Sequence, residues 1–537
     1  MVASGRVTID WLAYDQLPGQ ARPRLVVVTN RFSHAAHVFD ALLDDDEVAA
    51  AARAFACARV DCDERPDVDL PLQRRAGRPL PTWPLAALAA ADGALVAVAT
   101  HLDRRTLLEL LRAPPRPPLP PPPPPARATV DEALAAIRAA FDRHHGGFES
   151  PPKRPRPPLI DLLLVSNPSL ALRTLDGLMQ GGIHDQLGGG FHAYSTDERW
   201  VVPHFEKRAA DQAGLLATFA RAAALTGQPR YAAVARRIIA YVECNLALDG
   251  GGYAASEDAD VGAYDDGSHY TWTLEEARAV LADDELAVAQ PYFDLYGRGE
   301  LHSDPTRNIL FIAASPEEVA RELGRDPARV RDAIARARDR LLAARGDRPQ
   351  PAVDPTPYAG VWSKLARAYL EAEASLGVVQ ERERALYTLE KLYAARASDG
   401  SIAHRLDAAP SIRWLGDQAE LGLAALRAYE ASGERLHLEV ARATADQLLD
   451  RWWHPGGGFV SQPGGDDRPF RDGEDGPGPS ANAIAGALLW GLGTHLGERR
   501  YGERAEALVE ELLPLACGAA IDGAGLISLR VVAGIGQ

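Results

Sequence analysis

Residues 181–211, GGIHDQLGGGFHAYSTDERWVVPHFEKRAAD, combine three histidines, five acidic side chains and a tryptophan with several glycines. Glycine loses the most backbone entropy on folding and marks sharp turns, so Gly181-Gly182 and Gly188-Gly189-Gly190 argue against a regular helix here. The polar side chains are therefore expected on a shaped loop, where a scaffold usually displays its chemistry. The alternative is a buried structural hydrogen-bond network that pins a long loop.

On both sides of this stretch, amphipathic helices alternate with glycine-rich breaks. In residues 231–246, for example, Val234, Ile238, Val242 and Leu246 recur every four residues, which predicts a helix. The breaks share a Gly-Gly-aromatic signature, and they include Gly146-Gly147-Phe148, Gly189-Gly190-Phe191, Gly251-Gly252-Tyr253, Gly457-Gly458-Phe459 and, in weaker form, Gly523-Ala524-Gly525-Leu526. Helical hairpins repeated about six times predict an all-α (α/α)6 toroid over residues 128–537, with its loops meeting over a central funnel.

Residues 1–112 predict a separate α/β domain. The apolar run Leu25–Val28 predicts a buried strand, a helix pattern follows, and a second strand begins near Ala56. Asp92-Gly93 predicts the turn of a hairpin, and a last helix follows. Strand, helix, strand, hairpin and helix is the order of a thioredoxin-like fold. Residues 113–127 contain ten prolines and predict an extended, semi-rigid linker between the two domains.

Composition excludes several classes of function. The chain has 537 residues and a net charge of −16, which argues against nucleic acid or an anionic membrane as the main partner. Its four cysteines include no C-x-x-C pair, so neither a disulfide framework nor a zinc site is expected. The N-terminus lacks a signal-peptide pattern, and no stretch approaches eighteen uninterrupted apolar residues. A cytoplasmic protein is expected.

Several motifs resemble the spermatogenesis-associated protein 20-like family. They are Ser33-His34-Ala35-Ala36-His37 with the following residues 60–69, the stretch Gly181–Lys207 almost without gaps, Glu257–Asp260, Tyr270–Thr273 and Pro479–Asn482. The resemblance implies a thioredoxin-like domain fused to a six-hairpin barrel similar to those of N-acylglucosamine 2-epimerases and several glycosidases. Pro84 resembles the cis-proline of thioredoxin folds.

The same comparison shows departures from the family pattern. Ser33 and Ala36 replace both cysteines of the family's Cys-His-Trp-Cys-His motif, and thiol-disulfide exchange needs a thiolate. The first domain is therefore predicted to be redox-inactive, with Cys57 and Cys62 as an alternative pair. Pro355-Thr356-Pro357 and Trp362-Ser363-Lys364 stand where the family commonly has Asp-Asp-Lys and Trp-Asn-Gly, and Gly416 replaces a glutamate.

Sugar-active barrels use either two carboxylates or a pair of proton-shuttling histidines. The predicted catalytic residues are His204, Glu206, His192 and Asp258. The predicted substrate-binding residues are Asp185, Trp200, Asp197, Asp260 and Trp272. Structural alternatives are a helix-cap role for Asp185, a packing role for Trp200 and an ion pair for Glu206. No metal and no cofactor is expected, because Glu257–Asp260 lacks the glycine and terminal glutamate of a calcium loop.

Two functions remain open. The first is an enzyme that acts on a small carbohydrate-like ligand in the barrel mouth, as an epimerase or a glycosidase. The second is a catalytically inactive binding or scaffold protein, for which a protein partner is the alternative ligand. An acidic, aromatic-lined funnel would favour the enzyme, and a funnel blocked by Arg208 or Lys364 would favour the binding protein.

Overall fold

The computed structural model describes residues 8–76, 83–100, 102–114, 116–120, 126–148, 150–262, 265, 267–377, 379–409, 411–463, 475–476 and 478–535. The chain divides into two compact units: residues 1–124 with 262–265, and residues 125–261 with 266–537. Part of the proline-rich linker prediction, at Pro115 and Pro121–Pro125, lies outside the described residues.

The first unit contains a mixed β-sheet flanked by helices. Its strands and α-helices are β1 (Trp11–Leu12), β2 (Arg24–Thr29), α1 (His34–Leu43), α2 (Asp46–Ala52), β3 (Ala56–Asp61), α3 (Pro66–Ala76), β4 (Leu85–Ala89), β5 (Leu95–Thr100) and α4 (Arg104–Arg112). In the described part of this unit the strand order is β1-β3-β2-β4-β5, with β1, β2 and β3 parallel and β4 and β5 antiparallel to their neighbours. The two predicted strands, the hairpin and the last helix are confirmed, whereas β1 and α3 were not predicted and the helix pattern after β2 forms two helices, α1 and α2.

The apolar run in β2 is uninterrupted because both faces of the sheet are buried. Leu25 and Val27 pack in one apolar cluster, and Val26 and Val28 pack in the cluster on the opposite face. The Trp83–Pro84 peptide bond is cis, as the resemblance implied.

The two cysteines considered as a substitute redox pair lie in different environments. Cys57 packs in the cluster with Leu25, whereas Cys62 packs in the cluster with Val26. The sheet therefore separates the two thiols. Burial raises the pKa of the Cys57 thiol to about 11, which keeps it protonated. In the segment 33–37, which resembles the family's Cys-His-Trp-Cys-His motif, Ser33 caps α1. Its Oγ accepts a hydrogen bond from the Ala36 N–H at 3.2 Å.

The second unit is a closed ring of helical hairpins. Among its described residues, the inner helices are α6 (Pro157–Ser166), α8 (Ala209–Thr226), α14 (Ala359–Leu376), α16 (Leu415–Ser432), α18 (Ala481–Leu496) and α20 (Ala524–Val531). Each inner helix packs against the next in this order, and α20 packs against α6. This closure makes the second unit an (α/α)6 toroid.

The outer helices connect one inner helix to the next along the chain. Within the described ranges they are α5 (Val130–Ala140), α7 (Pro168–Gln180), α9 (Pro229–Tyr241), α15 (Val379–Ala394), α17 (Arg435–Arg451) and α19 (Arg499–Ala519). Helices α7, α9, α15, α17 and α19 each pack against the inner helix that precedes them in the ring. Because inner and outer helices alternate along the chain, the inner helices run parallel and begin at the same mouth of the toroid.

Between α9 and α14 the chain adds an insertion with its own apolar cluster. Its helices are α10 (Leu274–Val280), α11 (Asp283–Phe293), α12 (Pro316–Leu323) and α13 (Pro327–Gly346). The short strands of the second unit are β6 (Tyr194–Ser195), β7 (Pro203–His204), β8 (Lys207–Arg208), β9 (Ser256–Glu257), β10 (Trp272–Thr273), β11 (Arg307–Asn308) and β12 (Val353–Asp354). They form the ladders β6-β7, β8-β9-β12 and β10-β11.

The glycine-rich breaks precede inner helices and repeat a hydrogen-bond pattern. Gln212 at the start of α8 accepts a hydrogen bond from the Phe191 N–H at 2.8 Å and donates one to the Phe191 C=O at 2.7 Å. Gln418 binds the main chain of Ile402 in the same way at the start of α16. Asn482 does so for Phe459 at the start of α18. These three breaks are thus tied to the first turn of the next inner helix.

One predicted break is only partly right, because the 3-10 turn Ala520–Gly523 separates α19 from α20, which already begins at Ala524. Gly525 lies inside α20, the helix that closes the ring. The Gly525 N–H donates to Asp475 Oδ2 at 2.6 Å, and a Cβ at this position would lie 2.6 Å from Asp475 Oδ1. Glycine is required here for close approach of the neighbouring loop, not for a turn.

Arg499–Val531 is one helical stretch long and apolar enough to cross a membrane by length and composition. In the toroid it supplies α19 and α20, and Tyr501, Leu508 and Leu526 on it pack in an apolar cluster of the barrel. These apolar side chains are therefore part of the barrel core.

Candidate functional site

The stretch 181–211 folds into short ladders in front of α8. Tyr194 lies opposite His204 in the β6-β7 ladder, and Lys207 lies opposite Glu257 in the β8-β9 ladder. Gly182 allows the chain to pass close to Val201, since a Cβ would lie 2.2 Å from the Val201 carbonyl oxygen. The stretch is a loop with shaped turns, as its glycines indicated.

A buried charge network holds one part of this loop. Asp185 Oδ2 accepts a hydrogen bond from Lys207 Nζ at 2.7 Å, and Asp185 Oδ1 accepts one from Arg345 Nη1 at 2.9 Å. Asp185 Oδ1 also accepts hydrogen bonds from the Leu187 and Gly188 N–H groups at 3.0 Å. Burial alone would raise the pKa of Asp185, but Arg345 and Lys207 hold it well below its ordinary value. All of these contacts are internal to the fold.

Lys207 also contacts two buried tyrosines of the same network. Its ammonium lies 4.3 Å from the ring centre of Tyr241 and 4.9 Å from that of Tyr270. Both hydroxyls donate hydrogen bonds to the buried carboxylate of Glu257, which also accepts one from Asn245 Nδ2 at 3.2 Å. Burial and the charge of Glu257 raise the pKa of both tyrosines well above 10. The network ties the loop to α9 and to the insertion.

His192, a predicted proton shuttle, lies inside this network. It is 2 % exposed, and its Nδ1 lies 2.7 Å from the Phe205 carbonyl oxygen. Its ring packs edge-on against Tyr270 at 4.8 Å. Burial holds the pKa of His192 well below 6.5, so the ring is neutral. His184 is similarly buried, and burial lowers its pKa to about 3.

The two predicted stacking surfaces are buried tryptophans. Trp200 is 0 % exposed, its Nε1 donates to the His145 carbonyl oxygen at 3.2 Å, and Lys153 Nζ lies 4.9 Å from its ring centre. Trp272 is 1 % exposed, and the Arg348 guanidinium stacks on it at 3.9 Å. Both indoles are occupied by protein groups.

Two of the predicted acids, Asp197 and Asp258, accept hydrogen bonds from nearby backbone N–H groups. Asp197 accepts hydrogen bonds from the N–H groups of Arg199, Val201 and Val202 and so closes the turn before β7. Asp258 and Asp260 are both buried, and Asp258 Oδ1 accepts a hydrogen bond from the Asp260 N–H at 3.1 Å.

His204 and Glu206 form a different arrangement. His204 Nε2 lies 3.5 Å from Glu206 Oε2, which is longer than the usual N–H···O distance. Within the described chain this Nε2 is buried and has no hydrogen-bond partner. The His204 ring stacks on Tyr194 at 4.8 Å, and Glu206 is 2 % exposed. Of the four predicted catalytic residues, His204 and Glu206 are thus brought together, and His204 Nε2 forms no hydrogen bond within the described chain.

Charged side chains at the starts of the inner helices adjoin this pair. Arg208 Nε donates to Asp211 Oδ2 at 2.7 Å in the first turn of α8. The Arg154 guanidinium lies 5.6 Å from the ring centre of Tyr194, and burial together with Arg208 lowers the pKa of Arg154 to about 10. The aromatic face that carries His204 is therefore bordered by cations.

On the next two inner helices lie Arg367, Glu420 and Lys364. Arg367 Nε donates to Glu420 Oε2 at 2.9 Å, which joins α14 to α16. Lys364, one turn earlier on α14, is 9 % exposed, and burial lowers the pKa of its ammonium. Arg208 and Lys364 thus both lie at this mouth, which carries acidic and basic groups together.

A histidine–aspartate pair at the same helix ends was not predicted. His404 Nδ1 lies 2.9 Å from Asp417 Oδ2, and Asp417 Oδ1 accepts a hydrogen bond from the Gly360 N–H at 2.9 Å. Asp417-Gln418 at the start of α16 repeats Asp211-Gln212 at the start of α8. Aligning the internal repeats on this dipeptide would have identified Asp417 from the sequence.

In the described residues, one group of three candidate metal ligands has closely spaced atoms. It consists of Asp61, Cys62 and Asp63, whose ligand atoms lie within 4.8 Å of one another in the first unit. It is not part of the barrel.

Comparison with known proteins identifies relatives along most of the chain. The mouse spermatogenesis-associated protein 20 is 26% identical over 594 residues, covering 93% of this chain and 75% of the mouse protein. The human protein of the same name is 30% identical over 439 residues, covering 71% of this chain. The chain is a homologue of spermatogenesis-associated protein 20. It spans 55% of the human relative, and no protein-family model matches it.

Solved structures similar to this relative of spermatogenesis-associated protein 20 are distant. A family 76 glycoside hydrolase (mannosidase) from Bacteroides thetaiotaomicron has 8% identity and a TM-score of 0.43, over 75% of this chain and 98% of the hydrolase. A cellobiose 2-epimerase from Spirochaeta thermophila has 15% identity and a TM-score of 0.32, over 70% and 94%. The fold assignment rests on the closed ring of helices itself.

Proposed function

We propose that the barrel mouth binds a small carbohydrate-like molecule and that His204, assisted by Glu206, transfers a proton to or from it. The observation that supports this proposal is the buried His204 Nε2, which has no hydrogen-bond partner in the described chain and lies 3.5 Å from Glu206 Oε2. A general acid or base needs a ring nitrogen that is not committed to another hydrogen bond. Glu206 would stabilise the imidazolium formed when His204 takes up a proton.

The other charged groups favour proton transfer beside a carbonyl over hydrolysis by two carboxylates. Hydrolysis needs one carboxyl group as acid and another as base or nucleophile. At the mouth, Asp211 is held by Arg208 and Glu420 by Arg367. Their oxygens are already engaged, whereas His204 Nε2 has no hydrogen-bond partner in the described chain. An epimerase- or isomerase-type reaction, in which a histidine transfers the proton, therefore fits this site better.

The test is exchange of a sugar proton with solvent. Mono- and disaccharides that have a carbonyl in their open-chain form are incubated with the protein in D2O, and deuterium at the carbon beside the carbonyl is measured by NMR. We expect exchange with the wild type and a loss of at least about 100-fold in His204→Asn, the range for removal of a general acid or base. His302→Asn is the control, because His302 is exposed.

A catalytically inactive binding protein is the second candidate. It is favoured by the internal contacts of Asp185, His192 and Trp200, which leave fewer predicted site residues for a ligand. Saturable sugar binding without exchange, and with equal affinity in His204→Asn, would contradict the enzymatic proposal and support this alternative.

A further inference from the structure

Lys364 is a buried cation with no acid paired to it among the residues that the structure describes. Its side chain is 9 % exposed on the inner helix α14. It forms no hydrogen bond or ion pair with any residue that the structure describes. Its ammonium lies against Gly478, because a Cβ built on that glycine would be 2.2 Å from Lys364 Nζ. Lysine is almost never this buried without a partner.

The acids nearest to Lys364 are already paired with arginines. Glu420 and Asp211 favour its charged form, while Arg367 and Arg208 oppose it. Glu420 accepts hydrogen bonds from Arg367 through both of its oxygens, at 2.9 and 3.3 Å. Asp211 Oδ2 accepts from Arg208 at 2.7 Å. The cluster therefore contains two neutralised acid–arginine pairs and a third cation.

We infer that Lys364 binds an anionic group, a carboxylate or a phosphate, on the ligand of the barrel mouth. A buried charge is costly unless it is paired, and the described residues leave the pairing of Lys364 to a ligand. The compact ammonium suits either oxyanion. That the ligand is a carbohydrate rests on the proposed function. The anion site itself depends only on the environment of Lys364.

The placement of Lys364 also fits a ligand that reaches His204. Arg208 acts electrostatically on Lys364 and also on Tyr194, the residue on which His204 stacks. Arg208 directly precedes α8 and Lys364 lies in the second turn of α14, and these two helices pack against each other. One ligand would place its reacting carbon at His204 and its anionic group at Lys364.

The experiment is isothermal titration of the full chain with a matched pair of sugars and with a simple anion. Glucuronate and glucose differ only at C6, as carboxylate and CH2OH, and inorganic phosphate probes the anion site without a sugar. We expect wild-type protein to bind glucuronate at least 10-fold more tightly than glucose. Lys364→Met should remove this preference and weaken phosphate binding at least 10-fold. Lys391→Met, on the outer helix α15, is the control.

The outcomes separate the two proposals. Phosphate binding that depends on Lys364, with no binding of either sugar, would support the anion site and overturn the proposed function. Equal affinity for the two sugars, with no effect of Lys364→Met, would overturn the anion site and leave the proposed function standing. Absence of all three binding events would overturn both. If Lys364→Met does not fold, Lys364→Gln replaces it, and the preference of the wild type is decisive by itself.

Discussion

Lys207 Nζ lies 2.7 Å from Asp185 Oδ2, and both side chains are buried. The pair joins the strand before α8 to the turn that follows Gly181-Gly182, and Arg345 joins the same carboxylate to α13. Asp185, which sequence reasoning assigned to a ligand site, thus connects the ring to its insertion.

We expect Lys207→Met to destabilise the second unit by about 3–5 kcal/mol, because it removes one partner of a buried ion pair and leaves Asp185 with less compensation. Urea unfolding at pH 7.5 measures the change. Lys391→Met is the control, since Lys391 is only partly buried on an outer helix, and its effect should stay within about 1 kcal/mol. Equal effects of the two substitutions would show that the Asp185–Lys207 pair does not stabilise the fold.

Gly147 is expected to be intolerant of a side chain for two reasons. Its φ is +84°, and a Cβ would lie 2.5 Å from Trp200 Cζ2. Gly147→Ala should therefore cost about 1–2 kcal/mol of backbone strain and about 1–3 kcal/mol of overpacking. Gly227→Ala is the matched control, because Gly227 has φ +65° with no atom within 4 Å of the built Cβ. In thermal unfolding, the melting temperature of Gly147→Ala should be well below that of Gly227→Ala. The reverse order would contradict the packing of Trp200 against Gly147.

Stability should decrease as the pH falls below about 6.5, the ordinary pKa of histidine. Burial lowers the pKa of His184 to about 3, so between these values the unfolded chain binds a proton that the folded chain does not. Neutral His184 contributes fully to the free energy of unfolding above pH 6.5. Between pH 6.5 and pH 3 this contribution decreases by up to about 1.4 kcal/mol per pH unit.

This dependence is measured by urea unfolding at pH 7.5 and 5.5 in His184→Asn and in His302→Asn, which changes an exposed histidine. Comparing variants cancels the carboxyl groups that both retain. The loss on acidification should be smaller in His184→Asn than in His302→Asn. An identical loss would show that His184 takes up its proton in the folded state.

The sequence predicted the architecture because its signals are local. The helical spacing in residues 231–246 and the paired glycines at 189–190 act within one or two turns, and both are realised. Gly525 was predicted to mark a turn but lies in α20, because the reason for a glycine there is the close approach of Asp475, a residue fifty positions away. A glycine required for packing looks like a glycine required for a turn.

The candidate site was less predictable than the fold. Charged groups in one motif have the same sequence signature whether they bind a ligand or each other. Asp185 accepts a hydrogen bond from Arg345, which is 160 residues away in the sequence, whereas His204 Nε2 has no hydrogen-bond partner in the described chain. Lys364 and His404 could not be assigned to the same mouth from the sequence, because it is the closed ring that packs α14 against α8 and α16 against α14.

The remaining prediction concerns the first unit, which we expect to lack disulfide reductase activity. Attack on a disulfide needs an accessible thiolate. Cys57 and Cys62 are buried and pack in different apolar clusters, and Cys517 is buried in the barrel, whereas Cys244 is exposed. Reaction of the native protein with a chromogenic disulfide should therefore show one fast thiol, which Cys244→Ser removes. Insulin reduction should not exceed the rate without protein. Insulin reduction by the wild type that Cys57→Ser or Cys62→Ser abolishes would show that these two thiols meet despite their positions in the sheet.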